Sequence, residues 1–128
     1  MLFRSTDPQQ ALLFVSAAPD HPLAAWFKRN DPVGQFAEIQ ALVKQGFLIR
    51  TRADADTTQA RTNDTTRREQ AFASGAQYIS TDFPEPQPQF SDYCVHWPDH
   101  APARLSPLFS STVTLPAAPQ WEPAVAKP

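Results

Sequence analysis

The sequence predicts an α/β protein: the C-terminal portion, about three β/α units, of a (β/α)8 barrel of the TIM type, with a proline-rich C-terminal extension. A strand predicted over 47–53 carries Arg50 and Arg52 on one face, and a strand predicted over 77–83 carries Asp82 on one face. Because a helix connects these strands, they are expected to be parallel, with both polar faces on the same side. Parallel sheets are normally covered on both faces, so the mouth of a barrel is the place where such charges fit.

The composition is that of one globular domain. The chain has 128 residues, of which 41% are hydrophobic and 19% charged, and a formal net charge of -2. This balance predicts no nucleic-acid partner. No apolar run reaches about 18 residues, so no transmembrane segment is expected, and residues 1–10 lack the order of a secretion signal, which leaves the location open. The single cysteine, Cys94, is expected to be a small apolar residue without an internal disulfide partner.

The partial barrel is predicted to extend over 11–84, after a lead-in over 1–10. Its first strand is Ala11–Ala17 (ALLFVSA), a nearly continuous apolar run that is typical of a strand buried on both faces. Prolines interrupt the next segment. The residues from Leu23 to Asn30 are therefore expected to form at most a short turn of helix, with their Trp and Phe covering the barrel rim.

A well-defined helix is predicted to begin at Pro32 and to end before Gly46. Asp31 is placed to cap its first turn, and proline suits the first helical position. A glycine after the last turn is typical of a helix end. Apolar residues at helical spacing predict a stripe that packs on the sheet and has a structural role. These residues are Val33, Phe36, Ile39, Leu42 and Val43.

A polar loop without helix is predicted over 54–66, at the carboxyl end of the second strand, where barrel enzymes form their active sites. Thr66 and Glu69 have the spacing of a capping box and are expected to open a helix that ends at Ser74. Gly75 then comes after the helix, as is common at C-terminal ends.

Proline dominates the rest of the chain: 10 of the 14 prolines lie from Pro84 onward. Because proline removes amide donors, residues 85–110 are expected to form an extended wrap and residues 111–128 a disordered tail. Aromatic residues are expected to hold the wrap to the barrel's outside. They are Phe90, Tyr93, Trp97 and Phe109. Three strands cannot close a barrel, so the chain is expected to be incomplete, with uncovered edges that favour self-association.

Two arginines, Arg50 and Arg52, are the candidate substrate-binding residues. A guanidinium stays charged when desolvated and offers a planar set of donors to phosphate oxygens. Arg52 is the better candidate because it lies nearer the carboxyl end. The alternative is an internal ion-pair network, in which Asp54, Asp56 and Asp82 are the supporting carboxylates.

The pair Asp54 and Asp56 also suggests calcium, but an EF-hand loop would need glycine and glutamate where Gln59 and Thr65 stand. A role in fixing the loop or pairing with arginine is the favoured interpretation. Contact of Asp54 or Asp82 with a metal is left open, and no metal ligand is assigned.

The remaining histidines and arginines give weaker signals. His96 and His100 are four residues apart, but Pro98 prevents the helix that would place both on one face, so surface histidines are expected. The other arginines are expected to be solvated or to cap the loop through Asp64. They are Arg61, Arg67 and Arg68.

Three motifs resemble the C-terminal part of the calcium-dependent phosphoinositide-specific phospholipase C family. They are RTRADAD at 50–56, ARTND at 60–64 and ASGAQYISTDFP at 73–84, and the resemblance extends over roughly 11–105. The segment YCVHWPDHAPAR is also similar to that family's ending. The pattern SG-x-x-x-ISTD-x-P is shared in kind with glycerophosphodiester phosphodiesterases, and both families belong to the phospholipase C-like phosphodiesterase barrels.

The resemblance implies a barrel enzyme, secreted as a full-length parent, that cleaves the phosphodiester of inositol phospholipids with two histidines and one calcium ion. It places those residues in the family's N-terminal half, so no catalytic residue is expected here, and His21, His96 and His100 are not substitutes. The chain is expected to supply substrate-side residues and to be inactive alone. The alternatives are a non-catalytic fragment that needs a partner chain, and an enzyme like the glycerophosphodiester phosphodiesterases.

Overall fold

A computed structural model describes residues 17–97, 100–101 and 103–109. Its elements are β1 (Trp26–Lys28), α1 (Phe36–Lys44), β2 (Leu48–Arg52), α2 (Thr58–Thr62), α3 (Thr66–Ala73) and β3 (Tyr78–Ser80). The strands form one parallel sheet in the order β1-β2-β3. This mixed architecture agrees with the predicted α/β class. Three strands do not show whether the sheet belongs to a barrel, so the barrel stays a prediction.

The first part of the chain differs from the prediction. The strand predicted over 11–17 lies outside the described residues, apart from Ala17. The short helical turn predicted after Leu23 is wrong, because β1 forms there and pairs with β2. Phe27 does not cover a rim but is buried in the core. Three residues are too few for a periodic pattern, so this strand depends on pairing with its neighbour rather than on a local signal.

Helix α1 begins four residues later than predicted. A separate turn precedes it, in which the Asp31 carbonyl accepts the Gln35 amide at 2.9 Å and the Asp31 Oδ1 accepts the Val33 amide at 3.2 Å. Asp31 therefore closes this turn instead of capping the helix, and Val33 is exposed on the turn. Phe36, at the start of the helix, is only half-buried, and the remaining three residues of the predicted stripe are buried as expected. The residues that α1 buries are Ile39, Leu42 and Val43.

The loop predicted over 54–66 contains the short helix α2, which buries Ala60 against the C-terminal segment. Helix α3 forms as predicted, but the capping box does not. The residue before α3 is Thr65, which makes no side-chain cap, and Asp64 Oδ1 instead accepts the Thr66 amide at 2.9 Å. Hydrogen bonding from the side chain of Thr66, and then from its backbone amide, lowers the pKa of the Asp64 carboxyl. Gly75, with φ of 81°, comes just after the helix.

The two faces of the sheet have different surroundings. One face carries Phe27 and Ile49, which pack with the buried residues of α1 in the main core. The opposite face, called the open face below, consists of alternate positions aligned by the strand register. Its residues are Trp26, Lys28, Leu48, Arg50, Arg52, Tyr78 and Ser80. Gln77 extends the pairing of β2 and β3, since its side chain accepts from the Ile49 amide at 2.8 Å and donates to the Phe47 carbonyl at 3.2 Å.

Beyond β3, the C-terminal strap (residues 83–97, 100–101 and 103–109) packs along α2 and α3. Tyr93 is buried with Phe83 and Ala60 in a second core, and its hydroxyl donates to the Ala53 carbonyl at 3.2 Å. Trp97 packs on Phe72 with ring centroids 4.5 Å apart. The predicted tail over 111–128 lies outside the described residues.

Candidate functional site

Three of the predicted site residues lie together where β2 and β3 end. The Arg52 Nη2 atom is 2.6 Å from the Asp82 Oδ2 atom and 3.8 Å from the Asp54 Oδ1 atom. The register brings the two residues near each other, because Arg52 is opposite Ser80 and Asp82 follows two residues after Ser80. The carboxyl ends of two parallel strands thus share one ion-pair cluster.

Asp54 differs from the other two members because its side chain is fully buried. Its Oδ2 accepts a bond from the Thr81 hydroxyl, and its Oδ1 accepts the Asp82 amide at 3.1 Å. The Thr81 hydroxyl oxygen in turn accepts the Phe83 amide at 2.9 Å. Asp54 therefore uses both carboxylate oxygens to fix the turn that presents Asp82.

The ion pairs of Arg52 involve one of its guanidinium nitrogens, Nη2. Its side chain is 28% exposed, whereas that of its partner Asp82 is 59% exposed. The Arg52 Nε atom is buried and has no hydrogen-bond partner among the described residues. An arginine has five N–H donors, and the contacts with Asp82 and Asp54 both involve a single nitrogen. The group therefore has donors left for an acceptor that approaches the open face.

Arg50 lies two residues before Arg52, on the same face. Its Nη1 donates to the Asn30 Oδ1 atom at 2.8 Å. Asp56, the fifth predicted residue, does not join this group: it is exposed and has a positive φ of 50° in the loop after β2. The structure thus brings together Arg52, Asp54 and Asp82, with Arg50 alongside and Asp56 apart.

Of the remaining arginines, Arg61 is exposed as expected, whereas Arg67 and Arg68 are only partly exposed. Arg68 donates to the Cys94 carbonyl at 2.7 Å, and the Arg61 guanidinium lies 4.6 Å from the centroid of the Phe90 ring. Arg67 Nη1 is 3.3 Å from the Asp31 Oδ1 atom. These contacts hold the strap and the loop after β1, so the prediction that the arginines cap a loop through Asp64 is wrong.

Sequence reasoning missed two polar residues of this region, Asn30 and Thr81. Asn30 was missed because a helical turn was predicted over 23–30. Without a predicted strand there, the sequence did not place Asn30 near the carboxyl end of a strand. Alternation along the strand predicted over 77–83 places Thr81 on the side opposite Asp82, so it was not a candidate. The strand ends at Ser80, so alternation no longer determines where the Thr81 hydroxyl points.

Comparison with protein-family models gives a match over most of the chain. The model of the family described as phosphoinositide phospholipase C, Ca2+-dependent, matches residues 4–107. The chain belongs to this family. The comparisons with curated proteins and with solved structures gave no match. Membership of the phosphoinositide phospholipase C family confirms the resemblance seen in the RTRADAD and YISTD motifs.

The family's calcium does not fit the residues that the structure describes. Both oxygens of Asp54 accept bonds from protein donors, and Asp82 Oδ2 is engaged by Arg52. Calcium takes six to eight oxygen ligands, which requires several unengaged carboxylates or carbonyls in one place. Within 17–97, 100–101 and 103–109, no three His, Cys, Asp or Glu side chains are grouped so that they would hold a metal.

Two histidines of this phospholipase C relative, His96 and His100, line a cavity of about 530 Å³ that Arg50, Ser80 and Thr81 also line. Their rings stack with centroids 4.3 Å apart. His21 Nδ1 accepts the Leu23 amide at 3.1 Å in the loop before β1. Of the helices in the described part of the chain, none has the length and apolar character needed to cross a membrane.

Proposed function

We propose that the open face binds the phosphate-bearing headgroup of an inositol phospholipid, with Arg52 as the main contact and Arg50 as the second. The observation that carries this proposal is the position of Arg52: partly exposed, at the carboxyl end of a parallel strand, and paired with a carboxylate that is itself mostly exposed. Exposed ion pairs contribute only about 0–1 kcal/mol, so a phosphate can replace Asp82 at little cost. Family membership supplies the lipid class.

The arrangement of layers supports placing this sheet in a (β/α)8 barrel. Helices cover one face, and the charges lie at the carboxyl ends of the strands, where barrel enzymes form their sites. On the open face, Trp26, Leu48 and Tyr78 are 51%, 43% and 54% exposed. In a closed barrel these three side chains would be interior residues, which explains why the sequence places large apolar groups there.

We further propose that these residues bind substrate but do not transfer protons during phosphodiester cleavage. A guanidinium is not deprotonated in proteins, so Arg50 and Arg52 can bind a phosphate but cannot act as its acid or base. The purified chain is therefore expected to bind phosphatidylinositol without cleaving it, even with calcium present. Sustained turnover would contradict this division of roles.

Replacement of Arg52 tests the binding proposal. Arg52→Ala is expected to weaken binding to phosphatidylcholine vesicles containing phosphatidylinositol by at least about tenfold, because it removes charge-assisted donors to phosphate. Arg52→Lys is expected to recover only part of the affinity, since lysine lacks the planar fork. Arg61→Ala is the matched control: it removes the same charge from the strap side, where Arg61 stacks on Phe90. Equal losses of affinity for Arg52→Ala and Arg61→Ala would show that the loss comes from the change in net charge and not from a contact made by Arg52.

A second candidate function, assembly with a partner polypeptide, is favoured by the apolar residues of the open face. A large exposed apolar patch often marks a protein interface, and within the part of the chain that the structure describes β1 and β3 each pair with β2 alone. We expect the chain to sediment as an oligomer or with a partner, and Trp26→Lys to shift it toward monomer. A monomer that unfolds cooperatively would count against assembly. The family match gives no support to the glycerophosphodiester phosphodiesterase alternative.

A further inference from the structure

Asn30, two residues after the end of β1, links two arginines from different elements. Its side-chain Oδ1 accepts from Arg50 Nη1 at 2.8 Å, and its backbone carbonyl accepts from Arg67 Nη2 at 2.5 Å. Arg67 comes from the first turn of α3 and also contacts Asp31. The backbone of Asn30 is thus fixed from the helix side, and its side chain is fixed toward the open face.

The chemistry of the pair decides the orientation of the Asn30 amide. A guanidinium has donors and no acceptor, so the Asn30 atom that contacts Arg50 must be the carbonyl oxygen. The NH₂ group then points away from Arg50. Among the described residues, no acceptor bonds this NH₂ group, and Asn30 is exposed. Two amide donors therefore lie beside a fixed guanidinium at the carboxyl end of β1.

We propose that Asn30 contacts the substrate: its NH₂ group donates to a phosphate or hydroxyl oxygen of the headgroup that Arg50 and Arg52 bind. This inference rests on the proposed function. An inositol phosphate presents many oxygen acceptors in a small volume, and a neutral amide next to a guanidinium bonds such oxygens without adding a charge. Asn30 would then bind oxygens of the inositol ring or its phosphate, while the arginines neutralise the phosphate charge.

The test uses two replacements that separate a donor from a merely structural residue. Asn30→Asp keeps the shape and the acceptor for Arg50, but it removes both donors and adds a negative charge. Asn30→Ala removes donor and acceptor together. The added charge of Asn30→Asp also repels phosphate, so the variants are compared at high salt, where this repulsion is screened. If Asn30 only held Arg50 in place, Asn30→Asp would then bind like the unmodified chain. If it donates to the headgroup, Asn30→Asp binds at least as weakly as Asn30→Ala.

The affinity of the full 128-residue chain is measured for soluble myo-inositol monophosphate and for phosphatidylcholine vesicles with and without phosphatidylinositol. We expect Asn30→Asp to weaken binding of the monophosphate by about tenfold, the loss typical of a bond to a charged group. If Asn30→Asp lost affinity only for vesicles and not for the soluble monophosphate, Asn30 would contact the membrane surface and not the headgroup. That result would overturn the proposal. Unchanged binding by Asn30→Asp would also overturn it.

Arg52→Ala, measured in the same titrations, shows whether a negative result contradicts only the role of Asn30 or also the proposed headgroup binding by the open face. If Arg52→Ala weakens binding and Asn30→Asp does not, only the inference about Asn30 fails. If neither replacement changes binding, the proposed function fails with it. Thermal unfolding of each variant serves as the folding control, and a large shift is not expected because Asn30 is exposed.

Discussion

Asp54→Ala is expected to destabilise the chain by about 3 kcal/mol and to weaken headgroup binding at the same time. The side chain is fully buried and accepts from the Thr81 hydroxyl and the Asp82 amide. Each buried donor left without a partner costs about 1–3 kcal/mol. The turn that presents Asp82 would loosen, so Arg52 would lose its orientation. Urea unfolding of the purified chain measures the change in stability.

Two variants separate these effects. Asp54→Asn keeps the shape and one acceptor oxygen, and we expect it to lose about half as much stability as Asp54→Ala. Asp82→Asn changes the exposed partner of Arg52 and is expected to stay within about 0.5 kcal/mol of the unmodified chain. If Asp54→Ala unfolded at the same urea concentration as the unmodified chain, Asp54 would not fix the turn after β3.

Tyr93→Ala is expected to cost about 3–5 kcal/mol, the usual loss for a large aromatic residue in a core. Tyr93 is 1% exposed, and its ring packs edge-on against Phe83 with centroids 5.8 Å apart. Its hydroxyl also ties the strap to the Ala53 carbonyl. Loss of this residue would detach the strap from α2 and the end of β2. Unfolding in urea, monitored by circular dichroism, measures the cost.

Tyr93→Phe isolates the hydroxyl and adds a dependence on pH. Burial, with a smaller contribution from the charge of Asp54, raises the pKa of Tyr93 to about 12 from its usual value near 10. The folded chain therefore holds this proton more tightly than the unfolded chain. The contribution to stability is complete below pH 10 and is lost as the pH rises toward 12. The unmodified chain should lose more stability than Tyr93→Phe between pH 8 and pH 11. Equal losses would contradict the buried environment of the hydroxyl.

The features predicted well from the sequence are those with regular periodicity. Alternation along β2 and β3 placed Arg52 and Asp82 on one side of a parallel sheet, and they lie 2.6 Å apart. The helical stripe of α1 correctly gave Ile39 and Val43 as core residues. In both cases several residues repeat one spacing, and this repetition leads to burial of a single face.

The features that were missed depend on contacts between distant segments. Strand β1 has three residues and depends on pairing with β2, so no local pattern marks it. Asp54 lies beyond the end of its strand, where the turn after β3 and not the alternation determines its burial. Asn30 acquires its position only when Arg50 and Arg67 meet it from two other elements. A single sequence contains no signal for such tertiary bonds.

Headgroup binding by the open face can be observed at the guanidinium groups themselves. Proton–nitrogen correlation spectra of the arginine Nε–H groups are recorded while myo-inositol monophosphate is added to the full chain. We expect saturable shifts for Arg50 and Arg52, and no shifts for Arg61 and Arg104, which stack on aromatic rings of the strap. Shifts confined to Arg61 and Arg104, with Arg50 and Arg52 unchanged at saturation, would show that the headgroup binds elsewhere.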